Sequence, residues 1–229
     1  LRQTGVPLTD VTYANGLFVA VEEYGTILTS SDGVSWTAQT SGRYTRLLGV
    51  THGEGLFVAV GTVGTVLTSS DGVSWTAQTS GTDEDLYGVT YGAGLFVAVG
   101  SGGTILTSSD GVRWTAQTSG RYASLRGVTY ANGLFVAVGS GGTILTSPDG
   151  VSWTEQASGT SETLRGVTHG DGLFVAVGDK GTILTSSDGV AWTERASWTT
   201  SWLSGVTHGA GLFVAVGSGG TILTSSDGV

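Results

Sequence analysis

Leu95-Phe96-Val97-Ala98-Val99-Gly100-Ser101-Gly102-Gly103-Thr104-Ile105-Leu106-Thr107-Ser108-Ser109-Asp110-Gly111-Val112-Arg113-Trp114 is the stretch that decides the fold. It opens on an unbroken apolar run, which reads as a strand buried on both faces. A glycine-rich turn, a second short strand and an Asp-Gly turn follow, and a Trp closes it. The stretch recurs along the chain. Phe18, Phe57, Phe96, Phe135, Phe174 and Phe213 each lie 39 residues after the last, each inside Leu-Phe-Val-Ala-Val. Residues 95–120 and 134–159 agree at 22 of 26 positions, as recent amplification of one unit would leave them.

Each unit carries four strand signals. In the second copy these are Leu47–His52, Leu56–Val60, Thr65–Thr68 and Trp75–Thr79. Glycine-rich turns separate them, as hairpins require. No helical period runs over any useful length, so no helix is expected. Four short strands in about 40 residues, repeated, predict β-propeller blades. A blade packs against neighbours on both faces, which accounts for the doubly apolar second strand. The outermost strand is an edge, which accounts for its Thr and Gln. A β-helix needs a shorter coil, and a β-trefoil needs three units. The expectation is all-β: one domain over residues 1–229, a six-bladed β-propeller of four-stranded antiparallel blades. Leu1-Arg2-Gln3-Thr4-Gly5 resembles the end of a fourth strand such as Ala38–Gly42, and the last unit stops at Val229, before its own. The N-terminal strand is therefore expected to complete the C-terminal blade and close the ring, which needs no capping repeats.

Composition narrows the function classes. Of 229 residues, 39% are apolar and 12% charged, with a formal net charge of −9. Such a chain buries a core. Nine basic residues without a run argue against a nucleic-acid or anionic-membrane surface. No apolar stretch approaches the roughly 18 residues of a membrane span. With no Cys there is no disulfide and no thiolate metal site. No signal peptide is visible and the first residue is Leu1, as in a processed or excised segment.

Between third and fourth strands every unit carries Ser-Ser-Asp-Gly-Val or a near copy. Ser147-Pro148-Asp149-Gly150 fits a type I turn with Gly150 left-handed. The Asp carboxylate can accept nearby turn amides, and the following Trp can cover the turn. Asp32, Asp71, Asp110, Asp149, Asp188 and Asp227 are therefore expected as turn stabilisers, on different blades and too far apart to share a metal ion. These residues resemble the Asp-box repeats of the bacterial neuraminidase type, with one residue fewer between Asp and Trp. The wider string from Val97 to Trp114 is similar to repeats of the photosystem II stability/assembly factor family. Both resemblances span the six copies and imply a propeller. The second also implies an assembly factor for a protein complex.

His52, His169 and His208 share one repeat position with Tyr13, Tyr91 and Tyr130, which predicts packing and no metal or other cofactor. Arg43, Arg46, Arg121, Arg126 and Arg165 lie near blade junctions. They form no carboxylate-binding cluster beside a catalytic acid pair, so no catalytic residue is expected.

The copies differ mainly in two connections, fourth strand to next blade and second strand to third. In an up-and-down blade these emerge on one face. Divergent loops on a constant frame are where binding usually sits, although exposed loops also tolerate drift. The reading is a monomeric, non-enzymatic binding or scaffold propeller for an unidentified protein or glycan. A lectin-like propeller, an assembly factor and a degenerate glycoside hydrolase are the alternatives. Thr9, Leu48, Tyr87, Arg126, Arg165 and Ser204 vary where the neighbouring Leu does not, and strand alternation turns them away from the core, toward the channel mouth. Trp198 and Trp202 stand outside the repeat pattern, with Tyr44 and Tyr122 in equivalent connections. The candidate contacts are thus Trp198, Trp202, Arg126, Arg165, Tyr87, Tyr44 and Tyr122.

Overall fold

Six antiparallel sheets follow one another along the chain, and the computed structural model describes residues 7–42 and 44–228 of them. Blade 1 is β1 (Leu8–Ala14), β2 (Leu17–Glu22), β3 (Thr26–Ser30) and β4 (Thr37–Thr40). Blade 2 is β5 (Leu47–Gly53), β6 (Leu56–Gly61), β7 (Val66–Ser69) and β8 (Thr76–Gln78). Blade 3 is β9 (Leu86–Gly92), β10 (Leu95–Gly100), β11 (Ile105–Ser108) and β12 (Thr115–Gln117). Blade 4 is β13 (Leu125–Ala131), β14 (Leu134–Gly139), β15 (Ile144–Ser147) and β16 (Thr154–Gln156). Blade 5 is β17 (Leu164–Gly170), β18 (Leu173–Gly178), β19 (Ile183–Ser186) and β20 (Thr193–Arg195). Blade 6 is β21 (Leu203–Gly209), β22 (Leu212–Gly217) and β23 (Ile222–Ser225). Strand order within every sheet is sequential. This is the expected six-bladed β-propeller, with helix among the described residues limited to single 3-10 turns such as Ser101–Gly103. Contacts group residues 1–117 into one unit and 118–229 into another, with three blades in each.

Inside each unit the core lies between adjacent blades. Val19, Val21 and Ile27 of blade 1 pack on Leu47, Val50, Phe57, Ala59 and Leu67 of blade 2, with Trp75 over them. In the second unit Val136, Val138 and Ile144 of blade 4 meet Leu164, Phe174, Ala176 and Leu184 of blade 5 under Trp192. The apolar run alternates, one set of side chains toward each neighbour. Each Phe also touches the ring paired across its own hairpin, as His169 does Phe174 with centroids 4.6 Å apart.

Leu1–Val6, which carry the expected ring-closing strand, lie outside the described residues. Within them β23 pairs with β22 alone.

Candidate functional site

The two ends of a blade are held by different chemistry. At the end bearing the Asp turns, side chains make the bonds. Asp149 Oδ1 accepts the Val151 and Ser152 amides at 2.9 and 2.8 Å and the Ser147 hydroxyl at 2.9 Å. Ser147 Oγ accepts the Gly150 amide at 2.8 Å, and Trp153 Nε1–H donates to the Gly150 carbonyl at 2.9 Å. Gly150 is left-handed, with φ of 74°. Asp32, Asp71, Asp110 and Asp188 likewise accept two turn amides each, and Asp227 accepts the Ser225 hydroxyl. These bonds hold the carboxyls of Asp32, Asp71, Asp110 and Asp149 down at about 2.

The first hairpins at this end are latched to the next blade. The Asn15 amide group lies 3.1 Å from His52 Nε2, and Asn132 lies 3.0 Å from His169 Nε2. Tyr91 donates its hydroxyl to Glu54 at 2.6 Å, which pushes the phenol up to about 12. Asp171 meets His208 at 3.1 Å. Burial lowers the pKa of His52 and His169. The shared His/Tyr position thus packs on Phe and also ties blades together.

At the opposite end backbone-to-backbone bonds form the recurring clamp. The residue before each first strand offers its carbonyl to the second-to-third-strand loop. Thr62 N–H donates to Arg46 O at 2.9 Å, Ser140 to Ser124 at 2.9 Å, Asp179 to Thr163 at 2.9 Å and Ser218 to Trp202 at 2.8 Å. A Cβ on Gly139 would stand 2.2 Å from the Ser124 oxygen, so this approach admits only glycine. Blade 1 has Glu22 there, and its clamp, Glu23 N–H to Pro7 O, lengthens to 3.4 Å. Both variable connections therefore meet at one end, and short side chains add to the clamp: Thr143 donates its hydroxyl to Ser140 O at 2.8 Å, and Ser218 Oγ accepts the Trp202 amide at 3.1 Å.

In the second unit larger side chains stand on these connections. The Arg165 guanidinium lies over the Trp202 ring, 5.2 Å from its centroid, and pairs with Asp179. Lys180 pairs with Glu162 at 2.8 Å, and Arg121 with Glu155. Trp202 is 55% exposed, a large apolar surface next to a cation. Arg126 is half-buried on β13, and Tyr122 is exposed before it. In the first unit, Tyr87 accepts the Ser101 hydroxyl at 2.9 Å. Tyr44 is fully exposed and joins Tyr24 at a groove of about 440 Å3 with Gln39, Thr40 and Ser41.

Trp198 is placed apart from Trp202. It occupies the repeat position of Gly42, Gly81, Gly120 and Gly159, all with φ between 70° and 80°, and itself has φ of 57°. For a bulky residue that backbone costs about 1–2 kcal/mol. Its ring is 97% exposed and borders an apolar pocket of about 180 Å3 beside β23.

Asp10 escaped the sequence reading. It stands where other first strands have Gly49 or Gly166. Its Oδ2 accepts the Val50 amide at 2.9 Å and its Oδ1 the Val11 amide at 2.8 Å. Burial outweighs both bonds and raises its carboxyl to about 6. The signal was a charge at a position that is glycine in every other copy. Among the described residues, no group of three His, Asp or Glu could hold a metal ion.

No family model and no curated protein matches this sequence. Solved structures do. "YCF48 bound to D1 peptide" is similar at a TM-score of 0.77 and 20% identity, over 99% of this chain and 79% of that one. "YCF48 from Cyanidioschyzon merolae" gives 0.75 and 19%, over 100% and 84%. The computationally designed Ika8 protein gives 0.68 and 12%, over 96% and 83%. At these identities the likeness is one of fold, and this chain shares the propeller architecture of YCF48.

Proposed function

We propose that the chain is a non-enzymatic propeller that binds an extended segment of a protein partner on its variable loop end. The observation that carries this reading is the Arg165–Trp202 stack, a cation on a half-exposed aromatic, set on loops whose backbone clamp uses neither of these two side chains. Arg and Trp are the residue types that dominate protein-binding surfaces. The similar YCF48 structure that holds a D1 peptide adds support by analogy of fold. The carboxylates of Glu155 on β16 and of Glu162 and Asp179 in the loops are each tied to a cation, which speaks for binding over acid–base chemistry. A carbohydrate partner is the second reading, favoured by the open groove that Tyr24 and Tyr44 line together with Gln39, Thr40 and Ser41. Panning a displayed random-peptide library, beside a glycan array, separates the two. The proposal expects a selected peptide whose affinity falls in Trp202→Ala, Arg165→Ala and Arg126→Ala and holds in Asn15→Ala. Glycan hits lost in Tyr44→Ala, with no peptide selected, would replace it with the second reading.

A further inference from the structure

We propose that Asn15 and Asn132 are sites of spontaneous side-chain hydrolysis, and that the carboxylate so formed takes over the blade latch from the amide. They are the two Asn residues of the chain, and Gly follows each. Ala14 pairs with Leu17 and Ala131 with Leu134, so each Asn-Gly pair forms a two-residue hairpin turn. Both residues of each turn are exposed and left-handed, with φ of 52° at Asn132 and 77° at Gly133. The chemistry needs water alone. The Gly133 nitrogen gives up its proton to solvent and attacks the side-chain carbonyl carbon of Asn132. The new C–N bond closes a five-membered imide, and the amide nitrogen leaves as ammonia. Water then adds to the side-chain carbonyl, breaks the new bond and leaves aspartate on an unaltered main chain. The Asn132–Gly133 peptide must swing to bring the two atoms together. A Cβ on Gly16 or Gly133 would meet nothing within 4 Å, so among the described residues nothing packed there resists the swing.

The Asp-Gly turns form a contrast. There the glycine nitrogen is occupied: Gly33, Gly72, Gly150 and Gly189 donate their amides to the hydroxyls of Ser30, Ser69, Ser147 and Ser186 at 2.8–2.9 Å. The carboxylates of those turns are ionised, and an ionised carboxylate resists nucleophilic attack. An acid or amide before glycine is therefore shielded in one kind of turn and open in the other. The product already stands in other blades. At the position of Asn132, blade 5 carries Asp171, which meets His208 at 3.1 Å, and blade 2 carries Glu54, which accepts the Tyr91 hydroxyl. Asn132 lies 3.0 Å from His169 Nε2 in the same arrangement. The fold thus accepts a carboxylate here and gives it a partner. Hydrolysis turns a neutral contact into one that becomes an ion pair when the imidazole takes a proton. Opposing that proton on His169 are burial and the imidazole of His208, itself tied to Asp171.

The test incubates the full chain in mildly alkaline buffer made with heavy-oxygen water, followed by peptide mapping. The peptides holding Asn15 and Asn132 are expected to lose ammonia and gain one heavy oxygen, as aspartate, while those holding Asp149 and Asp188 stay unlabelled. In a separately prepared Asn132→Asp variant, its fold checked by melting temperature, the His169 ring protons should titrate about one pH unit higher than in the parent chain. Four results overturn the proposal: amides intact at both sites after a free peptide copying Thr129–Val136 has converted, label at the Asp turns ahead of the Asn turns, isoaspartate as the main product, or an unmoved His169 titration.

Discussion

The two ends of a blade solve the same problem, holding a tight turn, in opposite ways. At the Asp-turn end the side chains of Ser147, Asp149 and Trp153 are consumed by the turn itself. At the loop end a carbonyl-to-amide bond and a glycine do most of the holding, as Ser140 to Ser124 beside Gly139 shows, with repeated Ser and Thr hydroxyls such as Thr143 beside them. A turn built from side chains fixes its sequence. A turn held mainly by backbone leaves the positions between its bonded Gly, Ser and Thr free. That is a physical reason for one end to be monotonous and the other to carry Tyr, Arg, Lys and Trp.

The comparison breaks most readily at the glycine. Gly139→Ala forces a Cβ against the Ser124 carbonyl, and should cost about 2–3 kcal/mol in urea unfolding. A much smaller loss means the loop end is not clamped as described. At the Asp-turn end Ser147 is buried, and Ser147→Ala leaves the Gly150 amide without its acceptor. About 1–2 kcal/mol should be lost. Trp198→Gly relieves the left-handed strain and should raise stability by up to ~1 kcal/mol while removing an exposed aromatic. If stability falls instead, the Trp198 ring holds its loop in place.

Acid sharpens the contrast further. The turn aspartates at about 2 sit below the unfolded value of roughly 3.9, so their stabilisation is present above that value and fades as pH falls toward 2. Asp10 at about 6 has the opposite sign. Its folded form binds the proton more tightly, so stability should rise as pH falls from about 6 to about 4. Asp10→Asn should flatten that window in pH-dependent thermal denaturation and leave the loss below pH 4 in place. An unchanged window would assign the rise to another group.

The frame was legible because one pattern, Leu-Phe-Val-Ala-Val and the Asp-Gly turn, was written six times. Strand ends moved by a residue or two, as Thr65 did in giving way to Val66 at the start of β7. Other features were hidden, for physical reasons. The Asn132–His169 latch joins residues 37 apart on different blades, and nothing local in the sequence brings them together. Trp198 and Trp202 read alike on the chain, yet Trp198 replaces a left-handed glycine and faces the pocket by β23, while Trp202 stacks with Arg165. Asp10 was not singled out, because its role rests on two amide bonds, one of them to Val50 in the next blade.

The central claim is that partners engage the end whose large side chains the backbone clamp does not use. Amide hydrogen exchange with a library-selected peptide bound tests it directly. The account predicts new protection in residues 160–165, 179–181 and 197–204, with exchange unchanged around the Asp149 and Asp188 turns and at Asn132 and Asp171. Protection concentrated at those turns and latches, with the loop segments unaffected, would contradict it.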